Sequence, residues 1–323
     1  MNKQPKLSII IPVYNVEKYI GRCLKSCLNQ YGANVEDYEL VIVNDGTKDN
    51  SMQIVEKMTY NHSGSCIINQ SNQGLSMARN AGLKAAKGDY VWFVDSDDWI
   101  EQGCVKEIIE CIEQTRVDVL QLQYRNVYSD DTPCDEHYST INGIVSGKDL
   151  LITNKYFTAV PFMIYRREFL MKHELHFYPR IYHEDNEFKP KAIYLAESCA
   201  SYDKIAYNYF KGNANSITAQ LKLKNGMDLF IVMNSLFNFV KEQHITGRYK
   251  RSFYTQIGFA MRIVLRTLNM VNEEEALQLK NMIRDNRHLL KCLCQASNTK
   301  VKMGGILMYL WLPLGLRIYK WLA

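Results

Sequence analysis

Three carboxylates stand within four residues in the segment Asp95-Ser96-Asp97-Asp98, directly after the apolar run Tyr90 to Val94. At the end of a strand, such carboxylates repel one another unless a cation lies beside them. Mg²⁺ and Mn²⁺ prefer oxygen ligands and usually combine one or two carboxylates with substrate phosphates. The segment therefore predicts a divalent metal site that would neutralise a phosphate leaving group. A helix cap before Trp99 is an equally good interpretation of the segment alone.

Three further polar segments suit chemistry, and each has a structural alternative. Asp45 follows a strand-like run and could accept a hydrogen bond from a base or a ribose, or it could close an Asp-Gly turn. Arg79 could pair with phosphate or with the acidic segment, or form a surface ion pair. Asp185, in His183-Glu184-Asp185, could deprotonate a hydroxyl, or it could belong to the acidic first turn of a helix.

Alternating apolar runs and helical patterns indicate the elements that would position these residues. Strands are predicted at residues 7–11, 39–43, 65–68 and 90–94, with helices between them. This alternation predicts an α/β fold with a doubly wound, mostly parallel sheet flanked by helices. Ligands bind beyond the carboxyl ends of such strands, where Asn15, Asp45 and Asp95 are expected. Asn15 is predicted to cap the first helix, and Asp49 or Ser51 the second.

The rest of the chain has a less regular pattern in its middle and a helical pattern at its end. A strand is predicted at 118–124, a turn-rich loop at 129–147, a strand at 161–165 and a helix at 166–173. Beyond residue 220 the apolar spacing is helical throughout. These patterns predict a helical extension after the sheet.

Composition and cysteine usage indicate an ordinary globular chain of 323 residues, with 47% hydrophobic and 23% charged residues. The nine cysteines lack a Cys-x-x-Cys pair, which predicts reduced thiols and a cytoplasmic location. The net charge of +5 is unevenly distributed, because residues 246–302 alone carry eleven Lys/Arg against four Asp/Glu. That excess suits an anionic membrane or substrate, or simply a solvated helix face.

Several functional classes lack their sequence signatures here. The chain contains no Gly-x-Gly, so the dinucleotide fingerprint and the kinase loop are both absent. The P-loop, the Gly-x-Ser-x-Gly elbow and the His-Glu-x-x-His zinc motif are also absent. Nothing indicates a nucleic-acid-binding module, so we expect no nucleic-acid partner.

The segments that carry the polar residues form an ordered series over residues 5–220. They are Ser8–Asn15, Glu39–Gly46, Asn72–Gly82, Gly88–Asp98, His183–Phe188, the pair Tyr207 and Tyr209, and Ser216–Thr218. In this order and spacing they resemble the family 2 glycosyltransferases of the non-processive bacterial type. The resemblance implies the GT-A fold and inverting transfer of a sugar from a nucleotide diphosphate sugar to a hydroxyl.

The resemblance also implies roles for individual residues. Asp45 would accept a hydrogen bond from the base, which would be uracil. Asp95 and Asp97 would fill the family's Asp-x-Asp motif and bind Mn²⁺ or Mg²⁺, with Asp97 the more direct ligand. Asp185 would be the general base, and one base opposite the leaving group implies inversion. The nucleotide-sugar pocket would comprise Pro12, Val13, Tyr14, Asn15, Asp45, Asn72, Arg79, Asp95, Ser96 and Asp97.

The acceptor and the competing functions depend on where the chain departs from the family pattern. Val160–Ile164 replaces a Trp-Asn-Lys-like segment that touches the acceptor, so the resemblance implies only a glycan or lipid-linked hydroxyl. The processive synthases' Gln-x-x-Arg-Trp is absent, which predicts transfer of one sugar per encounter. A non-catalytic sugar-nucleotide-binding subunit is one competing function. A nucleotidyltransferase is another, although Pro12–Asn15 stands where its Gly-rich loop would be.

The predicted organisation is a catalytic domain at 1–220, a helical region at 221–302 and a hydrophobic tail at 303–323. Met303 to Leu316 carries no charge and, at fourteen residues, is shorter than the ~20 needed to span a bilayer. Trp, Tyr and basic residues in the tail suit peripheral attachment to the cytoplasmic face of a membrane. A core helix or a dimer contact is an equal alternative, and homo-oligomer formation is left open.

Overall fold

Nine strands form one sheet within the residues that the structure, a computed structural model, describes. These residues are 4–128, 132–139, 141–213 and 221–316. The strands are β1 (Leu7–Val13), β2 (Tyr38–Asn44), β3 (Ser65–Asn69), β4 (Tyr90–Phe93), β5 (Trp99–Ile100), β6 (Val119–Val127), β7 (Pro133–His137), β8 (Met163–Arg166) and β9 (Cys199–Phe210).

The sheet has a parallel half and a mixed half. The strand order is β3-β2-β1-β4-β8-β6-β9-β5, and β7 pairs with β6. Strands β1 to β4 pair in parallel. β8 is antiparallel to β4 and to β6, and β6 is parallel to β9. The predicted α/β fold is confirmed, because the first four predicted strands form the parallel half and helices accompany them.

The parallel half owes its close packing to apolar strands and small helical residues. β1 is buried along its whole length, as expected for a strand that is covered on both faces. A Cβ on Gly82 would lie 2.3 Å from Cγ2 of Ile10, so only glycine lets this helix lie so close to β1. The accompanying helices are α1 (Ile20–Leu28), α2 (Ser51–Thr59), α3 (Leu75–Ala85) and α4 (Cys104–Thr115).

The mixed half departs from the sequence prediction in two places. β7 lies within the predicted loop at 129–147 and pairs antiparallel with β6. A short 3-10 turn at Val160–Phe162 replaces the start of the strand predicted at 161–165. Pro161 explains this shift, because proline has no backbone N–H for a ladder and suits the first turn of a helix. The helices α5 (Gly147–Thr153) and α6 (Arg167–Lys172) complete this part of the chain.

The described residues divide into two compact units. The first unit lies within residues 1–150, 154–180 and 195–214, and the second within 151–153, 181–194 and 215–323. The second unit therefore includes residues 181–194, which the sequence prediction placed in the catalytic domain ending at residue 220. Its helices are α7 (Glu184–Leu195), α8 (Leu223–Glu242), α9 (Gly247–Thr267), α10 (Glu273–Asp285), α11 (Arg287–Leu293) and α12 (Thr299–Leu310).

Glycines also set the helix packing of the second unit. A Cβ on Gly226 of α8 would lie 2.8 Å from Leu279 of α10. A Cβ on Gly258 of α9 would lie 2.1 Å from Val301 of α12. The helical pattern predicted beyond residue 220 is thus confirmed for the described residues. Among them, no helix combines the length and the apolar character that crossing a bilayer requires.

Candidate active site

The acidic segment forms a turn at the carboxyl end of β4. Asp98 donates its amide to the Asp95 carbonyl at 3.1 Å, and the chain then enters β5 at Trp99. The next helix, α4, begins only at Cys104. The interpretation of the acidic segment as a helix cap before Trp99 is therefore wrong, because a strand follows the turn. We call residues 95–98 the acidic turn.

Asp98 ties the acidic turn to β9 and is buried. Its carboxylate accepts hydrogen bonds from the Tyr207 hydroxyl and the Phe210 amide, both at 2.7 Å. The same Tyr207 hydroxyl accepts a hydrogen bond from the Asp95 amide at 3.1 Å. Burial raises the pKa of Asp98 well above its usual value, and the charges of Asp97 and Asp95 raise it further. Asp98 is thus a structural anchor of the turn.

Asp95 is paired with a buried arginine. Arg79 Nη2 of α3 donates to Asp95 Oδ1 at 2.6 Å, and the Arg79 side chain is almost fully buried. The Arg79 guanidinium also lies 5.4 Å from the centroid of the Phe177 ring. The predicted pairing of Arg79 with the acidic segment is confirmed, and the alternative of a surface ion pair is wrong.

Asp97 is half-buried and follows the buried Ser96. Its Oδ2 accepts a hydrogen bond from Asn213 Nδ2 at 2.8 Å. Burial raises the pKa of Asp97, and the charge of Asp95 adds to this, whereas Asn213 and Arg22 act in the opposite direction. Burial and the neighbouring Asp95 carboxylate thus both disfavour the charged form of Asp97. A divalent cation beside the turn would favour the charged form.

The acidic turn offers carboxylates that a divalent metal ion could use together with substrate phosphates. Across the described ranges, no group of three or more His, Cys, Asp or Glu side chains is arranged to hold a metal. Asp98 is already engaged by β9, which leaves Asp95 and Asp97. Two carboxylates are what Mg²⁺ or Mn²⁺ commonly takes when phosphates complete its coordination. The residues therefore fit such an ion.

Arg22 of α1 also bonds the acidic turn, although it is not among the residues that the sequence predicted for the site. Its Nη2 donates to the Asp97 carbonyl at 3.2 Å. Its guanidinium lies 3.7 Å from the Trp99 ring centroid and 4.4 Å from that of Phe210. A planar guanidinium stacks well on aromatic faces. No motif marks Arg22, since its partners lie about 75 and 190 residues away in the sequence.

Asp45 is buried and organises the loop that precedes α3. Its Oδ1 accepts hydrogen bonds from Gln70 Nε2 at 2.7 Å and the Gln73 amide at 2.8 Å. Its Oδ2 accepts from the Gly74 amide at 2.9 Å. A carboxylate can accept about four hydrogen bonds, so a further bond from a base remains compatible with this geometry. Asn72 lies in the same loop and is exposed.

The turn after β1 is linked to the turn after β2. Asn15 has a positive φ of 53°, and its amide donates to Thr47 Oγ1 at 2.8 Å. Its side-chain Oδ1 accepts from the Lys48 amide at 3.3 Å. Asn15 is therefore no cap of α1, which begins at Ile20, and that prediction is wrong. The Asn15 side chain instead forms a hydrogen bond to the turn after β2.

The carboxyl edge of the parallel strands gathers the residues predicted to bind the nucleotide sugar. Val13 pairs with Asn44 in the parallel ladder, so β1 and β2 end side by side. Pro12 and Val13 are buried there, whereas Tyr14 is exposed. The Asp45 loop and the acidic turn with Arg79 join this edge. Their binding roles stay predictions, but the structure does bring these residues to one side of the sheet.

Asp185 belongs to the second unit and lies in the first turn of α7. Its Oδ1 accepts a hydrogen bond from the Asn186 amide at 2.8 Å. His183, just before the helix, has a φ of 62°, and Asn225 Nδ2 of α8 lies 3.4 Å from its Nε2. Glu184 and Glu187 also stand in the first turn, so the helix-start interpretation is confirmed. The general-base role of Asp185 stays a prediction.

Comparisons with known proteins give the same family that the motifs resemble. The sequence model described as glycosyl transferase family 2 matches residues 8–174. Glycosyltransferase EpsJ of Bacillus subtilis is 32% identical over 265 residues, which make up 79% of this chain and 72% of EpsJ. The poly(ribitol-phosphate) beta-N-acetylglucosaminyltransferase TarS of Staphylococcus aureus is 32% identical over 208 residues, 63% of this chain and 35% of TarS.

A solved structure supports the fold. The crystal structure of S. aureus TarS 1–349 in complex with UDP-GlcNAc matches with a TM-score of 0.78 and 22% identity. The match covers 98% of this chain and 89% of that chain. This likeness confirms the predicted GT-A fold with its helical C-terminal region.

Proposed function

The chain belongs to glycosyl transferase family 2, and we propose that it moves a hexosyl or N-acetylhexosaminyl unit from a UDP-linked donor to a hydroxyl. The proposed acceptor is a glycan or a lipid-linked glycan in the synthesis of a surface polysaccharide. The observation that carries the proposal is the acidic turn, in which Asp95 is paired with buried Arg79 and the half-buried Asp97 is held by Asn213. The relative TarS, whose structure contains UDP-GlcNAc, supports the choice of donor.

The proposed donor pocket lies along the carboxyl edge of the parallel strands. Tyr14 and Asn15 after β1, together with Asn72, would contact the nucleotide. Asp45 would hold the loop before α3 in place and accept from the uracil. Arg79 would fix the orientation of the Asp95 carboxylate through their hydrogen bond.

Asp95 and Asp97 would hold Mn²⁺ or Mg²⁺, with Asp97 the more direct ligand. When bound, such an ion neutralises the charge that develops on the diphosphate leaving group. The protein's part is to keep the two carboxylates at fixed positions, which Asn213, Arg22 and Arg79 do through their hydrogen bonds. Fixed charges of this kind stabilise a transition state without reorganisation at the moment of reaction.

Asp185 would accept the proton of the acceptor hydroxyl. As the proton leaves, the hydroxyl oxygen bonds to the anomeric carbon of the donor, and the bond from that carbon to the diphosphate oxygen breaks. UDP departs with the bonding electrons. A single displacement from the face opposite the leaving group inverts the anomeric configuration and needs no enzyme nucleophile.

A panel of nucleotide sugars, tested with and without Mn²⁺, tests the proposal. We expect UDP-sugars to raise the melting temperature more than GDP-sugars do, and more with Mn²⁺ than without it. Slow release of UDP from the preferred donor should accompany binding, measured by a coupled UDP assay. Metal-linked UDP binding without any donor consumption would instead favour a non-catalytic sugar-nucleotide-binding subunit. No stabilisation by any nucleotide sugar would contradict the proposal.

A further inference from the structure

The C-terminal helix α12 has two different apolar faces. One face packs on other helices of the second unit, of which α12 is itself a part. Its buried residues are Val301, Gly304, Gly305 and Met308. A Cβ on Gly305 would lie 2.5 Å from Leu293 Cβ, so this face approaches α11 closely. The core-helix interpretation of the tail is therefore correct for one side of α12.

The other face of α12 exposes large apolar side chains. Met303 is 57% exposed, Ile306 37% and Leu310 77%, and Trp311 directly after the helix is 63% exposed. The first three recur at positions i, i+3 and i+7, which places them on one side of a helix. We call these four residues the α12 stripe. Contiguous exposed apolar side chains of this kind mark interaction surfaces more often than scattered single ones do.

Basic residues border the α12 stripe. Lys300 and Lys302 of the same helix are both exposed. Arg287 of α11 donates to the Tyr309 carbonyl at 3.2 Å, and its guanidinium lies 5.3 Å from the Tyr309 ring centroid. No Asp or Glu follows Asp285 in the sequence, so α12 itself carries no carboxylate side chain beside these cations. The surface is thus apolar at its centre and cationic at its margin.

We propose that the α12 stripe docks on an anionic lipid surface. The four apolar side chains would enter the boundary between head groups and acyl chains, while Lys300 and Lys302 would lie beside lipid phosphates. Trp311 suits this boundary, because its ring is apolar and its N–H is polar. α12 has 12 residues, against the ~20 needed to span a bilayer, so it lies on the membrane.

The charge pattern favours lipid over a second copy of the chain. In a two-fold dimer the same patch meets itself, so both sides of the seam would carry the lysines and neither would offer a carboxylate from α12 to pair with them. Like charges at such a seam would oppose the association. An anionic bilayer instead supplies the opposite charge together with an apolar layer. The proposal adds a membrane contact to the proposed function and does not depend on the transfer chemistry.

Co-sedimentation of the full chain with vesicles tests the proposal. We expect binding to vesicles of phosphatidylcholine mixed equally with phosphatidylglycerol, and much weaker binding to phosphatidylcholine alone. The double variant Ile306→Gln/Leu310→Gln should weaken binding by about tenfold or more, since two apolar side chains no longer enter the lipid. Lys300→Gln/Lys302→Gln should also weaken it by about tenfold, and added salt should remove that difference.

The matched control is Met270→Gln/Leu277→Gln, which changes two exposed apolar residues outside α12, whose exposed fractions of 60% and 57% lie between those of Ile306 and Leu310. It should leave vesicle binding unchanged, and the melting temperatures of all variants should stay close to that of the wild type. Equal binding by the stripe variant and this control would overturn the proposal. So would failure of the wild type to bind anionic vesicles, or a lipid-free dimer that only the stripe variant disrupts. UDP-sugar binding, measured in parallel, separates this outcome from failure of the proposed function.

Discussion

The two units of the chain hold their candidate catalytic carboxylates in different ways. In the first unit, Asp97 is bonded by Asn213, which follows β9, and its carbonyl is bonded by Arg22 of α1. In the second unit, Asp185 accepts a hydrogen bond from the amide of the next residue, Asn186. The acidic turn is therefore positioned by tertiary contacts from distant segments. Asp185 is positioned by the start of its own helix, where backbone amides and the helix dipole favour a negative group.

The difference matches two different chemical requirements. A carboxylate that holds a divalent ion must keep its oxygen atoms at fixed positions, which several distant partners ensure. A carboxylate that accepts a proton must remain ionised and within reach of a hydroxyl, which a helix N-terminus supports. Variants that separate donor binding from turnover therefore test whether the two carboxylates divide the work in this way.

The largest expected effects come from Asp97→Asn and Asp185→Asn. Asp97→Asn should lower the turnover of sugar transfer by roughly 100-fold or more, a loss typical of a deleted electrostatic contact to the transition state. It should also reduce the Mn²⁺-dependent stabilisation by UDP. Asp185→Asn should lower turnover by about 10²- to 10⁴-fold, as expected for loss of a general base. It should leave the Mn²⁺-dependent stabilisation by UDP unchanged.

The measurements are steady-state transfer rates and melting curves with UDP and Mn²⁺. Both substitutions keep the side-chain volume, so the melting temperatures without ligand serve as the control for folding. Wild-type turnover in both variants would show that neither carboxylate has its proposed role. Loss of UDP binding in Asp185→Asn would show that the two units do not divide donor binding and proton transfer.

A smaller effect is expected on the stability of the second unit, from Lys189 of α7. Burial lowers the pKa of Lys189 to about 7, and the charge of Asp185 opposes this shift. Between pH 7 and pH 10.5 the unfolded chain then binds more protons at this residue than the folded chain does. Lys189 therefore makes stability rise with pH across this window, by up to about 1.4 kcal/mol per pH unit. That contribution is fully present above pH 10.5 and is lost progressively as the pH falls to about 7.

Lys189→Met tests this expectation by urea unfolding at pH 7, 8 and 9. The variant should be more stable than the wild type at pH 7, and its stability should rise less steeply with pH. Lys280→Met is the matched control, because Lys280 is an exposed lysine on α10. If the free energies of unfolding of wild type and Lys189→Met instead change with pH in parallel, then Lys189 stays protonated in the folded chain and the prediction is wrong.

The comparison also shows which parts of the molecule the sequence could predict. The strands that end at Val13, Asn44 and Phe93 follow from local apolar runs, so the carboxyl edge of the sheet was predictable. The pairing of Arg79 with the acidic segment was also predictable as one of its alternatives. Local sequence patterns were enough to predict the strand ends and the Arg79 pair, because each involves one short segment and a strand or helix close to it in the sequence.

The wrong predictions concern residues whose partners lie far away in the sequence. The helix-cap alternative for the acidic segment is wrong because a strand follows the turn, and the carboxylate of Asp98 is bonded by Tyr207 and Phe210, more than 100 residues later. Asn15 failed as a cap because its partners are in the turn after β2. The capping propensity of a single residue is the same whether its side chain caps a helix or bonds a distant segment. Only the folded chain decides whether a tertiary partner takes the side chain instead.

The smallest expected effect belongs to Arg22, and it tests whether distant contacts position the acidic turn. Arg22→Lys keeps the charge but loses the planar group that lies over the Trp99 and Phe210 rings. We expect a loss of about 1 kcal/mol in the free energy of unfolding, within the range of stacked cations on aromatic rings. The hydrogen bond to the Asp97 carbonyl should weaken as well, so the Mn²⁺-dependent affinity for UDP should fall several-fold while UDP binding without metal changes little. Arg284→Lys, on an exposed arginine of α10, is the control and should change neither quantity. If Arg22→Lys lowers stability but leaves the Mn²⁺-dependent affinity intact, then the bonds of Asn213, Tyr207 and Arg79 position the turn without α1.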